Sequence, residues 1–228
     1  MKKTIKIISV GGSIIIPKTG FDIKFLKKFR ELILSHVKKG IKFVLVVGGG
    51  ATCRYYQENL SKVVKTKDID LDWLGIYTTW YNAEFVRLLF GEFAYKEVVK
   101  NPTKKIKTNK AIIIAGGWEP GWSTDMDAVL LAKNFKANEV INLSNIDYVY
   151  DKDPKDFPDA KPLGEISWKD FKEIIGEKWS PGANKPFDPV ASKLADELGL
   201  KVVIINGYKL ENLENVLNNR PFIGTIIQ

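Results

Sequence analysis

Few side chains in this sequence are equipped for proton transfer or covalent catalysis. There is one histidine, His36, and one cysteine, Cys53. His36 falls on the apolar stripe of a predicted helix, where a histidine packs as a core residue, so serine-triad and metal-dyad chemistry lacks its base. Cys53 precedes Arg54 behind a glycine triplet; with no histidine to activate it, it reads as a small helix-face residue before it reads as a nucleophile. What the chain does offer is glycine, at Gly11-Gly12, Gly48-Gly49-Gly50 and Gly116-Gly117, each time directly after an apolar run. None of these turns spells G-x-G-x-x-G, and G-x-x-x-x-G-K-[ST] is absent, which removes the dinucleotide fingerprint and the P-loop. A glycine turn that opens a helix still aims backbone N–H groups at one spot where an anion is stabilised. Chemistry that needs only positioning and charge neutralisation is left, and phosphoryl transfer is its leading case. Arg54, one turn into the helix behind the triplet, is placed to grip a phosphate with its fork of donors, with a surface arginine as the plainer alternative.

The elements around these turns must position them. The run Ile5–Val10 reads as a strand ending in Gly11-Gly12-Ser13. Asp22 then caps a helix carrying Phe25, Leu26, Phe29, Leu32, Ile33 and Val37 at helical spacing, closing at Gly40. A strand over 43–47 leads into the triplet and a helix through Arg54, Tyr55 and Tyr56. A longer helix is predicted over 72–90, a short strand over 94–99 and a polar loop over 101–110. The chain is organised around 111–125: a buried β-branched run, Gly116-Gly117, a second turn at Pro120-Gly121, and the capping types Ser123, Thr124 and Asp125. A strand over 139–143 follows, then an exposed loop over 151–162, a short helix over 168–175 and an irregular loop over 179–187. Asp188-Pro189 opens a helix to Leu198, ended by Gly199; a strand over 202–205, a helix over 210–217 and a strand over 222–227 complete the order. This alternation predicts an α/β fold with a mostly parallel central sheet and helices on both faces. Ligands of such sheets lie beyond the carboxyl ends of the strands, where all three glycine turns fall.

Composition narrows the class further. The 228 residues are 45% hydrophobic and 27% charged, as expected of a globular protein with a substantial core. No apolar run approaches the roughly 18 residues of a membrane span, and the start of the chain reads as a first strand, not a signal peptide. A single cysteine excludes an internal disulfide framework and fits a reducing cytoplasm. The net charge of +8 is scattered without a basic run, which argues for a small phosphorylated ligand and against nucleic acid.

Taken in order, these motifs resemble the uridylate kinases of archaeal type, in the amino acid kinase superfamily. The resemblance rests on Gly11-Gly12-Ser13, Val47-Gly48-Gly49-Gly50 with Arg54, Asp72-Trp73-Leu74-Gly75-Ile76 with Asn82-Ala83, and Gly116 through Thr124. It continues through Asn145-Ile146-Asp147, Val149-Tyr150, Asp153-Pro154 and Asp188-Pro189, nearly end to end. It implies one domain over 1–228, an αβα sandwich, with the acceptor site in about 1–137 and the ATP site in about 138–228. The implied reaction is transfer of the ATP γ-phosphoryl group to UMP, with Mg²⁺ carried mainly on the ATP phosphates and no direct protein ligands to the metal. The implied UMP site is Gly49, Asp72 on the sugar, and the loop Trp118, Glu119, Pro120, Gly121, Trp122, Ser123 and Thr124. The implied ATP site is Ser9, Val10, Gly11, Gly12 and Ser13, with Gly50, Arg54, Ser144, Asn145, Tyr150 and Asp153. A homohexamer is the usual assembly. On physical grounds a carboxylate at Asp72 accepts from both ribose hydroxyls, and Tyr150 can stack on adenine. The plainer readings are a helix cap for Asp72, a core-covering strand residue for Tyr150 and an Asx-turn for Asp153.

Four residues depart from the pattern. Many superfamily members carry lysine where this chain has Ser9; the nearest lysine on that strand is Lys6, and Lys193 on the helix after Asp188-Pro189 is the candidate replacement beside Arg54. Trp80 stands where arginine is frequent, and Trp118 and Trp122 make the acceptor loop bulky. These changes bear on the acceptor more than on the reaction. The alternatives are another small phosphate or carboxylate acceptor, or a nucleotide-binding assembly without catalysis.

Overall fold

In the computed structural model, residues 4–176 and 185–228 are described. Five parallel strands form the centre of a seven-stranded sheet: β1 (Ile5–Val10), β2 (Lys42–Val47), β3 (Ile112–Ala115), β4 (Glu139–Ser144) and β8 (Lys201–Asn206). The order is β3-β2-β1-β4-β8, continued by β9 (Thr225–Ile227), antiparallel to β8, and β7 (Glu165–Ile166). A separate antiparallel ribbon pairs β5 (Val149–Tyr150) with β6 (Pro162–Leu163), bringing the two ends of the 151–162 loop together.

The continuous apolar runs have a direct cause. Both faces of the sheet are covered, so successive residues of each strand enter different cores. Ile7, Val44 and Val46 belong to one core and Ile8, Phe43, Leu45 and Val47 to the other, all at most 1% exposed. The first core is closed by α5 (Thr124–Phe135), α6 (Trp168–Ile175) and α7 (Pro189–Glu197). The second is closed by α2 (Ile23–Lys38), α4 (Asp68–Phe90) and α8 (Leu210–Leu217). The expected αβα sandwich is the observed architecture.

Local chemistry sets the boundaries. Asp22 caps α2 by accepting from the Phe25 N–H, Ser123 caps α5, and Asp188 caps α7 through the Val190 and Ala191 amides. Helix α4 starts at Asp68, a turn earlier than residue 72, so Asp72 lies inside the helix and Lys67 precedes it as the cap. Segment 94–99 makes only two bridges along β3, at Ala94 and Val99, because the intervening residues turn away from the edge. The last strand is shorter than 222–227, and a one-turn helix α1 (Gly12–Ile15), unforeseen in the sequence, follows the first glycine turn. Of the irregular loop at 179–187, residues 179–184 lie outside the described residues. Lys6 is committed at the opposite end of the sheet from the glycine turns. Burial alone would raise the pKa of Glu139, but bonds from Lys201 (2.5 Å) and Lys6 (2.7 Å) outweigh it and hold the carboxylate ionised. Among the described residues no helix is long and apolar enough to cross a membrane.

The strand order reverses between β1 and β4, with β2 and β3 to one side and β8 to the other. That is where an open parallel sheet leaves a crevice at its carboxyl edge.

Candidate active site

A cleft of about 840 Å³ fills this crevice, and all three glycine turns reach it. The β1 turn contributes Gly12 and Ser13; the β2 turn contributes Gly49 and Gly50, followed by Arg54 on α3 (Gly50–Val63). The two turns touch backbone to backbone. A Cβ on Gly12 would lie 2.1 Å from the Gly50 nitrogen and 2.6 Å from the Gly48 oxygen. Asn82, fully buried on α4, donates its amide to the carbonyls of Gly48 (3.0 Å) and Gly49 (2.9 Å), fixing the triplet from behind.

The third side is the loop after β3. Thr79 Oγ1 accepts from the Gly117 N–H at 2.7 Å, and Trp80 Nε1 donates to the Gly117 oxygen at 2.6 Å. Further along, the Gly121 N–H donates to Asp72 Oδ2 at 2.8 Å. Asp72 itself lines the cleft, so one carboxylate both faces the ligand space and ties the loop to α4. The loop therefore divides. Trp122, Ser123 and Thr124 face the cleft, whereas Trp118, Glu119 and Pro120 line an adjoining pocket of about 590 Å³ with Trp73, Trp80 and Lys100. The two indoles meet edge to face across the divide, with ring centres 5.1 Å apart.

Beyond Asn145, which lines both, the cleft continues into a pocket of about 450 Å³. Ser144, Tyr150 and Asp153 line it, as do Tyr148, Lys155 and Ile174. A pocket walled by tyrosine and isoleucine among polar side chains, beside a polar cleft, suits a nucleoside base and its phosphates. Ser9, Val10 and Gly11 are not on the cleft surface. Ser9 and Val10 are buried, and the Gly11 N–H bonds the Leu143 carbonyl, so these residues hold the floor in place. Lys193 is exposed on α7 and lines neither the cleft nor the two pockets beside it. The cations that line the cleft are Arg54 and Lys18, and among the described residues no carboxylate forms an ion pair with either.

Under the floor lies a group that sequence reasoning missed. Asp125 accepts from Ser9 Oγ at 2.9 Å, from Asn142 Nδ2 at 3.3 Å and from the Asp188 N–H at 3.3 Å. Complete burial pushes its pKa up to about 7, and the Asp188 carboxylate adds to the rise against the Ser9 and Asp188 hydrogen bonds. Asp127, two residues on, is raised well above its ordinary value by burial, and its Oδ1 has no partner among the described residues. Among the described residues no lysine or arginine forms an ion pair with Asp125 or Asp127. The signal for it was the pair of aspartates in the first turn of a helix of otherwise apolar face. Asn82 and Thr79 were legible in the same way, as polar residues at the inward positions of an apolar helix. Burial also raises the Cys53 thiol, with Arg54 pulling the other way, so Cys53 is a neutral wall of the cleft. His36 is 1% exposed and its Nδ1 bonds the Leu32 carbonyl, a packing role as expected.

Known proteins give the same picture. The model of the amino acid kinase family matches residues 4–206. A uridylate kinase of Methanobrevibacter smithii is 33% identical over 222 residues, 96% of each chain. One of Pyrococcus abyssi is 33% identical over 218 residues, 94% of this chain and 95% of that one. Among solved structures, uridylate kinase from Archaeoglobus fulgidus superposes with a TM-score of 0.83 at 27% identity, covering 99% of this chain and 100% of that one. UMP kinase from Bacillus anthracis shares the fold at 20% identity and a TM-score of 0.76, covering 99% and 96%. A matched family model over most of the chain and relatives of near-equal length lead to one statement: the chain belongs to the amino acid kinase family.

Proposed function

We propose that this protein is a UMP kinase, which moves the γ-phosphoryl group of ATP onto the phosphate of UMP to give UDP and ADP. The observation that carries the reading is the single cleft in which glycine turns from β1, β2 and β3 meet Arg54 and Asp72. The relatives named uridylate kinase supply the acceptor. In this reading the adenine lies in the pocket with Tyr150 and Asp153, and the triphosphate passes Asn145 to reach Gly12, Ser13 and Gly50. UMP lies opposite, its ribose on Asp72 and its phosphate near Gly49 and Arg54, with Trp122, Ser123 and Thr124 around the base. Trp118, Glu119 and Pro120 shape the loop from its far side. Residues before about 138 thus hold the acceptor and the phosphates, and those after it the donor base.

The chemistry asked of the protein is alignment and charge neutralisation. Two phosphate groups repel each other, and amides, Arg54 and Lys18 offset that repulsion where the γ-phosphoryl group crosses. Transfer is direct and in line, with no covalent intermediate on the enzyme. Among the described residues no group of three His, Cys, Asp or Glu side chains is arranged to hold a metal. The cleft's own donors are amides, hydroxyls and cations, a set that suits a Mg²⁺ held by phosphate oxygens, where it supplies further charge neutralisation. A homo-oligomer, a hexamer by resemblance, is supported by the outer face of α4. There Ile69, Trp73, Tyr77 and Tyr81 recur every fourth residue and are 37–76% exposed, an aromatic stripe of the kind that subunit interfaces cover. The cytoplasm is the compartment that fits.

ADP release in the presence of MgATP and each nucleoside monophosphate tests the reading. UMP is expected to stimulate most. Stimulation by a different acceptor moves the protein to another kinase of this fold, and nucleotide binding without turnover leaves a binding assembly.

A further inference from the structure

We infer that Tyr208 is a positioning residue for the donor phosphates, clamping the first glycine turn through a hydrogen bond that the local sequence cannot make; this rests on the kinase reading only for the identity of the ligand. The reason begins in α1. A helical carbonyl at residue i waits for the N–H of residue i+4, and Ser13 is followed four residues later by Pro17, which has none. Gly12 does find such a partner in the Ile16 amide, and the Gly11 carbonyl before it takes the Ile14 amide, three residues on. The Ser13 carbonyl takes its donor from 195 positions away, the Tyr208 phenol, at 2.8 Å.

Tyr208 is itself built into a frame. Its amide donates to Asn206 Oδ1 at 3.0 Å, Asn206 Nδ2 donates to Asp147 at 3.0 Å, and Lys209 pairs with the same carboxylate at 2.8 Å. The Gly207 N–H bonds the Ser144 carbonyl at 2.8 Å. The Tyr208 ring meets Phe25 of α2 edge-on, with centres 6.2 Å apart. Three loops at the carboxyl edge of the sheet, after β1, β4 and β8, are thereby fixed to one another. Tyr208 also shares the wall of the cleft with Gly12, Ser13 and Asn145. Released, the Ser13 carbonyl would be a partial negative charge free to turn toward an anionic ligand; bonded to the phenol, it is committed elsewhere.

Direct titration of the full chain with MgATP, with no acceptor present, reads this role independently of the acceptor. Tyr208→Phe removes the hydrogen bond and keeps the ring, and one neutral hydrogen bond corresponds to a loss of affinity of roughly three- to tenfold. Tyr208→Ala is expected to lose more. In turnover the KM for ATP rises in the same proportion, while the KM for UMP and the melting temperature of Tyr208→Phe stay within about twofold and about 2 °C of wild type. An unchanged ATP affinity in Tyr208→Phe overturns the clamp, as does an equal loss for UMP. Wild-type protein that binds MgATP but ignores UMP overturns the acceptor assignment and leaves the clamp standing. Should Tyr208→Ala fail to fold, Tyr208→Phe decides alone.

Discussion

Glycines around the cleft are required for two different reasons. At the turns after β1 and β2 the glycines are there because nothing else fits: the backbones of Gly12, Gly48 and Gly50 lie against one another with no room for a methyl group. The loop after β3 shows both reasons: a Cβ on Gly116 would lie 2.7 Å from the Trp80 ring, whereas Gly121 has open space around it and is favoured only because φ is +83°. The first side is a rigid mould, stitched by Asn82; the second is a strap, held to α4 by Asp72, Thr79 and Trp80. A tightly packed mould suits a donor that is the same in every turnover. A strap suits the partner that sets specificity, since it can be re-tied by changing single side chains.

Substitutions should separate the two sides. Gly12→Ala should do the most damage, because its methyl would lie 2.1 Å from the Gly50 nitrogen. We expect at least about 3 kcal/mol of destabilisation, roughly 10 °C in melting temperature, together with loss of turnover. Arg54→Ala should fold normally and lose about 100-fold in kcat/KM, and Arg54→Lys should recover only part of that, since a point charge cannot replace a fork. Asp72→Asn keeps the shape but gives up the charge on the Gly121 amide and, in the proposed pose, on the UMP ribose. Its KM for UMP should rise about tenfold with ATP affinity unchanged. Gly121→Ala, with open space but an unfavourable φ, should cost about 1–2 kcal/mol and raise the UMP KM a few-fold. A Gly121→Ala as damaging as Gly12→Ala would erase the distinction between mould and strap.

A further effect, read against pH instead of by fold-change, concerns the acid under the floor. Asp125 has a folded pKa of about 7 against an ordinary value of 3.8, so between those values the folded protein holds a proton that the unfolded chain has released. Stability therefore falls as pH rises from about 4 to about 7, and this group contributes no further change above that. Asp125→Asn cannot ionise, so its melting temperature relative to wild type should climb across the same window when measured at pH 4.5 and 7.5. A flat difference would mean that Asp125 is ionised throughout.

Strand runs and glycine positions are local facts, and the sequence was enough to read them. Residues buried on both sides are mostly apolar, and a chain leaving such a strand toward an anion must bend where no Cβ is tolerated. From these alone came the parallel sheet, the carboxyl-edge crevice and the choice of phosphate over proton chemistry. Which side chains face the ligand was not a local matter. Glu119 and Trp122 are three residues apart in one loop yet line different cavities, because Gly121 is pinned to Asp72 on a distant helix. Lys193 lines none of the cavities beside the cleft while Lys18 lines the cleft itself, and the Ser13 carbonyl is satisfied by a tyrosine near the other end of the chain. Periodicity reports which residues are inside, but direction and partnership arise from long-range packing, which only the folded chain decides.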